Sequence, residues 1–385
     1  METRSSISHM GWDSHRAFSK VTARDGQNRV VWRRRVDHRD RGAMRKLLRS
    51  WPTGTPVILE STFGWGWISD ELREAGLSPH LANSRKVAGW RDARGLAKSD
   101  RMDADLLSEL WTQQPHWWKV WLAPPEVRQC RELMRYRMSL VQMQTGIKNR
   151  LHAVLHRHGI LHDYSDLFGA AGRRFLQRLA ADEQALPKSA RLTLKGLLQL
   201  LDHVRRQIAG AVRVFRGHLE KTPAGDVLMS LPGVGRVLAY TMLAEIGCIE
   251  RFAGSGHLMA YSLLAPRARD SGQDEYEEAP QGRRIGQAGR RTLKWAWIEA
   301  AHGAVRSGGR FRELFDRMVK SGKSNGRAYI VVAHELCRLG YVLLSKHVRY
   351  SEHRPERPGS SRSRPGTGQP VGPMVVGAWR HQISC

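Results

Sequence analysis

Four acidic side chains in the first third of the chain have the types and spacing that phosphodiester chemistry requires. Asp13 follows a weak apolar run, Glu60 ends the apolar run 57–59, and Asp100 and Asp103 lie three apart on one face of a predicted helix. Hard divalent cations prefer oxygen ligands, and two such ions about 4 Å apart can activate an attacking oxygen and stabilise a leaving one. The four acids therefore predict a site for two magnesium ions.

Each acid taken alone also has an ordinary structural interpretation. Ser99 and Asp100 make a favourable helix start, and acids in a first helical turn are stabilised by the helix dipole. Asp105 is a further acid nearby, but its offset from Asp103 places it on another face of the helix. The order of the four acids together, rather than any one of them, favours metal binding.

The chain is strongly basic, with 63 Lys and Arg against 36 Asp and Glu and a formal net charge of +27. Such a charge predicts a polyanionic partner, and nucleic acid is the expected one because Lys and Arg contacts release counterions from its backbone. An acidic membrane surface is the competing partner, but no apolar run approaches the roughly 20 residues that a bilayer span needs.

The polar start and the few, widely spaced cysteines predict a cytoplasmic protein without structural zinc.

Apolar periodicity predicts an α/β domain followed by a helical region. In residues 1–115 short apolar runs alternate with helical patterns, which is typical of an α/β domain. Residues 116–222 are predicted to form a long coiled-coil-like hairpin, which either spaces two domains or mediates oligomerisation. The apolar residues of its first helix recur every seven positions, at Leu133, Leu140, Ile147 and Val154.

The remainder predicts a mostly helical domain and a loose tail. Residues 223–350 begin with the turn 231–235, whose Gly233 and Gly235 are typical of a helix-hairpin-helix that presents backbone N–H groups to a phosphate. An ordinary helix–helix turn is an equally good interpretation. Residues 351–385 are rich in Arg, Pro, Ser and Gly, which predicts a disordered basic tail.

Five short segments carry a resemblance to a known family. In order and spacing they are similar to segments of the DEDD transposases of the insertion-sequence one-ten family, which are related to the pilin-gene invertases. The resemblance extends from about residue 8 to residue 350. The segments are Gly11-Trp12-Asp13, Glu60-Ser61-Thr62, Lys98 to Ala104, Leu231 to Gly235, and Pro266-Arg267 through Ser271-Gly272.

The resemblance implies a fold, a site and a set of partners. It implies an N-terminal RuvC-like domain of the ribonuclease-H-like class, with magnesium held by Asp13, Glu60, Asp100 and Asp103. It also implies a nucleophilic serine, Ser271, in the C-terminal domain. The implied partners are donor and target DNA, a structured guide RNA and further copies of the chain. Without the resemblance, Ser271 would be interpreted as an ordinary turn residue.

The candidate nucleic-acid contacts combine arginine-rich stretches with the two glycines of the turn. Guanidinium groups bind phosphate with two parallel hydrogen bonds, although each arginine alone is equally explained as solvated surface charge. The candidates are Lys98, Arg101, Gly233, Gly235, Arg267, Arg269, Arg283 and Arg284.

The sequence thus predicts a DNA recombinase that cuts and rejoins strands through a phosphoserine intermediate. One alternative is a metal-dependent endonuclease in which water attacks and Ser271 is incidental. Another is a noncatalytic protein that only binds nucleic acid. Trapping of a protein–DNA adduct separates the first two, and the effect of Asp13→Asn on recombination separates the third.

Overall fold

The structure is a computed structural model. It divides into two compact units, Met1–Arg128 and Gln129–Cys385. The described residues are 7–62, 64–96, 100–113, 115–265 and 290–351, with the side chains of 100–102 outside the description.

A mixed six-stranded sheet forms the centre of the first unit, which confirms the predicted α/β character. The strand order is β3-β2-β1-β4-β5-β6. The pairs β1–β4 and β4–β5 are parallel, and the other three pairs are antiparallel. The strands are β1 (His9–Ser14), β2 (Phe18–Arg24), β3 (Val30–Asp37), β4 (Pro56–Glu60), β5 (Ser78–Ala82) and β6 (Lys119–Val120).

The sequence does not predict strand β2, because three of its buried positions are polar and interrupt the apolar alternation. Ser19, Thr22 and Arg24 are each less than 9% exposed. The Ser19 hydroxyl lies 2.8 Å from the His38 ring, Thr22 donates to Asp105 and Arg24 donates to Ser108. A buried polar group is tolerated when it is hydrogen-bonded, so tertiary partners make a strand that apolar alternation does not reveal.

Helices cover both faces of this sheet. Alternation along β4 sends Val57 and Leu59 into one core with α1 and α2, whereas Ile58 packs on the other face with Leu106 and Leu107 of α4. The helices of this unit are α1 (Arg41–Arg49), α2 (Trp65–Glu74), α3 (Ser84–Ala93) and α4 (Asp100–Glu109).

The second unit begins with long helices. The predicted seven-residue stripe lies on α5 (Pro125–Arg157), and its residues Leu140 and Ile147 are buried. They share one core with Leu194 and Leu201 of α7 (Lys188–Leu219), so the stripe packs within the chain. A further helix, α6 (Ala170–Ala181), contributes Leu176 and Leu179 to the same core.

The rest of the second unit is helical around a separate core. Leu293, Trp297 and Ala300 are fully buried there. The helices are α8 (Pro223–Ser230), α9 (Arg236–Ile246), α10 (Ser255–Tyr261), α11 (Arg291–Ser307), α12 (Gly309–Lys320) and α13 (Asn325–Lys346).

Helix α13 corrects one statement made from the sequence. Its 22 residues are long and apolar enough, by length and composition, to cross a membrane. The apolar residues of this helix do not form a continuous run in the sequence, because Glu335, Arg338 and other charged residues interrupt it. Val332, Leu336 and Leu343 pack in the core of the second unit, which is the expected place for the central helix of a globular domain.

Candidate metal centre

Asp13 and Glu60 lie side by side at the same edge of the sheet. The register pairs Gly11 with Ile58 and Trp12 with Leu59, so Asp13 and Glu60 are the next residues along the two parallel strands β1 and β4. Side chains alternate between the two faces of a strand, so both carboxylates are on the face that carries Ile58. The sequence order therefore brings two of the four predicted ligands to one place.

Helix α4 lies on that same face because residue 11 is glycine. A Cβ atom built on Gly11 would lie 2.2 Å from the backbone N of Ser108 and 2.3 Å from the backbone O of Ala104. Real Cβ atoms do not approach backbone atoms so closely, so no other residue fits this crossing without displacing the helix. The close approach places Asp103, which precedes Ala104, beside the carboxyl end of β1.

The negative charges of Asp13 and Asp103 act on Glu60. The pKa of Glu60 is raised above its usual value, first by burial and also by the negative charges of Asp13 and Asp103. A hydrogen bond with Ser84 and the positive charge of Arg91 act in the opposite direction. The charge of one acid is thus felt by another although residues 13, 60 and 103 come from three different elements.

Two basic side chains partner the other acids of the cluster. The His15 Nε2 atom lies 3.0 Å from Asp13 Oδ2, and Arg91 Nη1 lies 3.3 Å from Asp103 Oδ1. The Arg91 and Asp103 side chains are each only 17% exposed. His15 follows the Gly-Trp-Asp segment closely, whereas nothing in the sequence around Arg91 on α3 or Ser84 at its start signals a site.

The cluster has the chemistry of a magnesium site. Across the ranges that the structure describes, no three His, Cys, Asp or Glu residues converge closely enough to hold a metal ion. The donor set is nevertheless all carboxylate oxygen, and a divalent cation would stabilise the ionised form of Glu60, which burial and then the charges of Asp13 and Asp103 disfavour. Asp13 and Asp103 would exchange His15 and Arg91 for the ion. The residues present therefore fit Mg²⁺.

Asp105 has a different role, as its offset from Asp103 indicated. It accepts a hydrogen bond from Thr22 at 2.7 Å and lies 2.9 Å from the Arg33 guanidinium. Burial opposes ionisation of Asp105, but these hydrogen bonds and the charge of Arg33 lower its pKa overall. Asp105 therefore fastens α4 to β2 and β3.

The glycine turn of the second unit has one packed and one open position. Gly233 has a φ of +78°, and a Cβ atom there would lie 2.2 Å from the Ala300 backbone O on α11. Gly235 is exposed, has no atom within 4 Å of a Cβ position and precedes the first turn of α9. Packing thus explains Gly233, whereas Gly235 has space for a phosphate.

Several of the predicted site residues are not among the residues that the structure describes. Lys98, Ser271, Arg267, Arg269, Arg283 and Arg284 fall outside the described residues. Asp100 and Arg101 belong to the first turn of α4, but their side chains are not described.

Comparison with known proteins identifies the class to which this arrangement belongs. Residues 10–160 match a DEDD transposase domain of the IS110 type, and residues 225–316 match the transposase domain of the IS116/IS110/IS902 family. The first match contains Asp13, Glu60, Asp100 and Asp103, and the second contains Ser271. The chain therefore carries both transposase domains of the IS110 family.

Individual relatives agree with this assignment. The chain is 29% identical to an uncharacterized protein of insertion element IS110 from Streptomyces coelicolor, over 47% of this chain and 46% of the relative. It is 23% identical to the transposase for IS1328 from Yersinia enterocolitica, over 77% of this chain and 85% of the relative. It is 27% identical to a pilin gene-inverting protein of Moraxella bovis, over 32% of this chain and 37% of the relative.

Proposed function

We propose that this chain is the transposase of a mobile insertion element and cuts and rejoins DNA through a serine-linked intermediate. The observation that supports this most is the placement of Asp13 and Glu60 at the ends of the paired strands β1 and β4, with Asp103 on the helix that crosses β1 at Gly11. Asp100 precedes Asp103 by three residues on α4 and completes the DEDD set.

The carboxylates would hold Mg²⁺, by their number two ions, against the scissile phosphate. When bound, the ions supply Lewis-acid stabilisation of the charge that develops on the phosphate oxygens. The role of this chain is to hold the acids in place: strand pairing fixes Asp13 and Glu60, and the crossing at Gly11 fixes Asp103.

In this proposal Ser271 provides the attacking oxygen. A bond forms between the Ser271 Oγ atom and the phosphorus, the phosphorus–oxygen bond to the departing DNA end breaks, and that end leaves with a hydroxyl group. The serine proton passes to solvent or to a nearby base. The phosphoserine ester preserves the phosphodiester bond energy, so the reverse attack by a DNA hydroxyl rejoins strands without ATP.

We also propose a ribonuclease-H-like, RuvC-type class for the first unit. Support comes from the order of its first five strands, in which an antiparallel β1–β2–β3 meander is extended by β4 and β5 in parallel to β1. The acids at the ends of β1 and β4 and on the helix beside them occupy the positions expected of this class. We also propose that the chain consists of domains that end at residues 115, 222 and 350, followed by the basic tail.

An oligomer would bring several such sites to the strands that are exchanged. Support comes from apolar side chains that remain exposed on the long helices although their main stripe is buried within the chain. These are Tyr136 and Met143 on α5 and Leu192, Leu200 and Val214 on α7, each between 44% and 72% exposed. A structured guide RNA and the candidate contacts at Gly235 and the arginine-rich stretches belong to the same proposal. If RNA selects the target, no side chain needs to read bases.

Trapping of the covalent intermediate tests the proposal. The full chain is incubated with DNA carrying the element ends, quenched in denaturant and separated from unlinked DNA. We expect an adduct with the unsubstituted chain and none with Ser271→Ala, whereas Ser255→Ala, at the start of α10, retains it. DNA cleavage by Ser271→Ala at an unchanged rate would favour the endonuclease with attacking water. Unchanged transposition in cells with Asp13→Asn would favour the noncatalytic protein.

A further inference from the structure

A row of cations lies beside the carboxylate cluster on the same face of the sheet. The register pairs Asp13 with Lys20 across β1 and β2, and Lys20 with Arg35 across β2 and β3. Residues directly opposite each other in adjacent strands project to the same face. Asp13, Lys20 and Arg35 therefore form one line perpendicular to the strands.

Helix α4 covers the neighbouring row, and its Asp103 lies at the Asp13 end of this one. The next row contains Gly11, Thr22 and Arg33, and it is occupied by α4 through Ala104 and Asp105. The row of Asp13, Lys20 and Arg35 lies beyond it, toward the carboxyl end of β1. Lys20 and Arg35 line a surface there.

That surface forms a cavity of about 340 Å³. Its lining includes Lys20, Thr22, Arg33, Arg35 and, on the side of α4, Ala104. Ala104 follows Asp103, so the cavity adjoins the carboxylate cluster directly. The lining contains no carboxylate among the residues described at this cavity.

The two arginines at the cavity have different partners. Arg33 is engaged by both carboxylate oxygens of Asp105, at 2.9 Å each, so its charge is compensated locally. The Arg35 guanidinium lies over the Phe18 ring at 4.1 Å from the ring centroid. A guanidinium stacked in this way keeps N–H groups at its edge, where they can bind two oxygens of one phosphate.

We propose that Lys20 and Arg35 bind the backbone of the DNA strand whose scissile phosphate reaches Asp13. Adjacent strands are about 4.8 Å apart, so Arg35 is about 10 Å from Asp13 across the sheet. Phosphates of one strand rise about 3.4 Å each along the axis of B-form DNA and are further apart along the winding backbone, so this line of cations is long enough to meet neighbouring phosphates of one strand. The inference rests on the proposed function for the identity of the strand.

Salt-dependent binding tests this assignment without any cleavage. The double variant Lys20→Gln with Arg35→Gln is compared with Lys46→Gln with Arg49→Gln, which removes the same charge from the last turns of α1, on the opposite face of the sheet. Affinity of the full chain for a single-stranded and a duplex DNA oligonucleotide is measured over a range of salt concentrations in EDTA. Thermal unfolding of each variant confirms that both fold.

We expect the first variant to reduce the slope of log affinity against log salt by about 1.4 for single strands and about 1.8 for duplex, that is, by two phosphate contacts. The control variant should leave the slope unchanged. Equal losses in both variants, or none in the first, would overturn the proposal, as would a loss confined to an RNA oligonucleotide of the same sequence. Because EDTA prevents metal-dependent cleavage, failure of this inference is distinct from failure of the Ser271 mechanism.

Discussion

Gly11 on β1 and Ala104 on α4 are in direct backbone contact, since a Cβ on Gly11 would lie 2.3 Å from the Ala104 carbonyl oxygen. This crossing joins the strand that carries Asp13 to the helix that carries Asp103. The geometry of the carboxylate cluster therefore depends on a residue that has no side chain and takes no part in the chemistry.

Gly11→Ala is expected to displace α4 and to weaken both the fold and the activity. Forcing a methyl group into a packed contact costs about 1–3 kcal/mol, and here the neighbours are backbone atoms that cannot rotate away. Chemical denaturation should show this loss, and adduct formation should fall with it.

The control is Gly89→Ala on α3, which meets no atom within 4 Å. It should stabilise the chain by about 0.5–1 kcal/mol, because alanine is the better helix residue. Equal effects of the two substitutions would contradict the proposed role of Gly11.

Glu60→Gln is expected to stabilise the metal-free chain near neutral pH. In the folded chain burial, and then the charges of Asp13 and Asp103, raise the pKa of Glu60 above its usual value of 4.5. The folded state therefore holds this proton more tightly than the unfolded state, and ionised Glu60 lowers the free energy of unfolding. This loss of stability is present when the pH is above the pKa of Glu60 in the folded chain, and it disappears as the pH falls below 4.5.

Unfolding free energies of the two chains, measured in EDTA from neutral pH downward, check this prediction. The advantage of Glu60→Gln should shrink as the pH falls, whereas Glu74→Gln, at an exposed position of α2, should show no such trend. A Glu60→Gln chain that is less stable than the unsubstituted one at neutral pH would contradict the prediction that ionised Glu60 destabilises the folded chain.

Asp103 and Asp105 provide a matched pair of substitutions on one helix. Asp103→Asn removes a proposed metal ligand, so adduct formation should fall about a hundredfold or more, because metal stabilisation contributes several kcal/mol. Asp105→Asn weakens the links to Arg33 and Thr22, so unfolding should become easier by about 1–3 kcal/mol while adduct formation persists. Loss of the adduct in Asp105→Asn but not in Asp103→Asn would show that Asp103 is not the metal ligand.

Much of the site could be predicted because its signals are local. The apolar run before Glu60 and the spacing of Asp100 and Asp103 are visible in a few residues, and each agrees with the element that the structure contains. The strand β2 and the partners Arg91 and Ser84 depend on residues distant in the sequence. Hydrogen bonds and ion pairs between distant elements leave no periodic pattern, and the role of Gly11 is known only once α4 crosses it.

Ser271 shows the opposite limit. Its own surroundings in the sequence predict only a turn, so its role rests on the family resemblance and on the transposase domain matched at residues 225–316. Gly233 is intermediate, because the turn was predicted whereas its close packing against α11 requires the tertiary structure.

Binding of Mn²⁺ to the full chain, followed by electron paramagnetic resonance in the presence of DNA, tests the central claim most directly, because Mn²⁺ prefers the same oxygen ligands as Mg²⁺. The account predicts saturable binding that is weakened at least tenfold by Asp13→Asn and by Glu60→Gln and is unchanged by Asp105→Asn. Equal Mn²⁺ affinity in all four proteins would contradict a metal centre built from Asp13, Glu60 and Asp103.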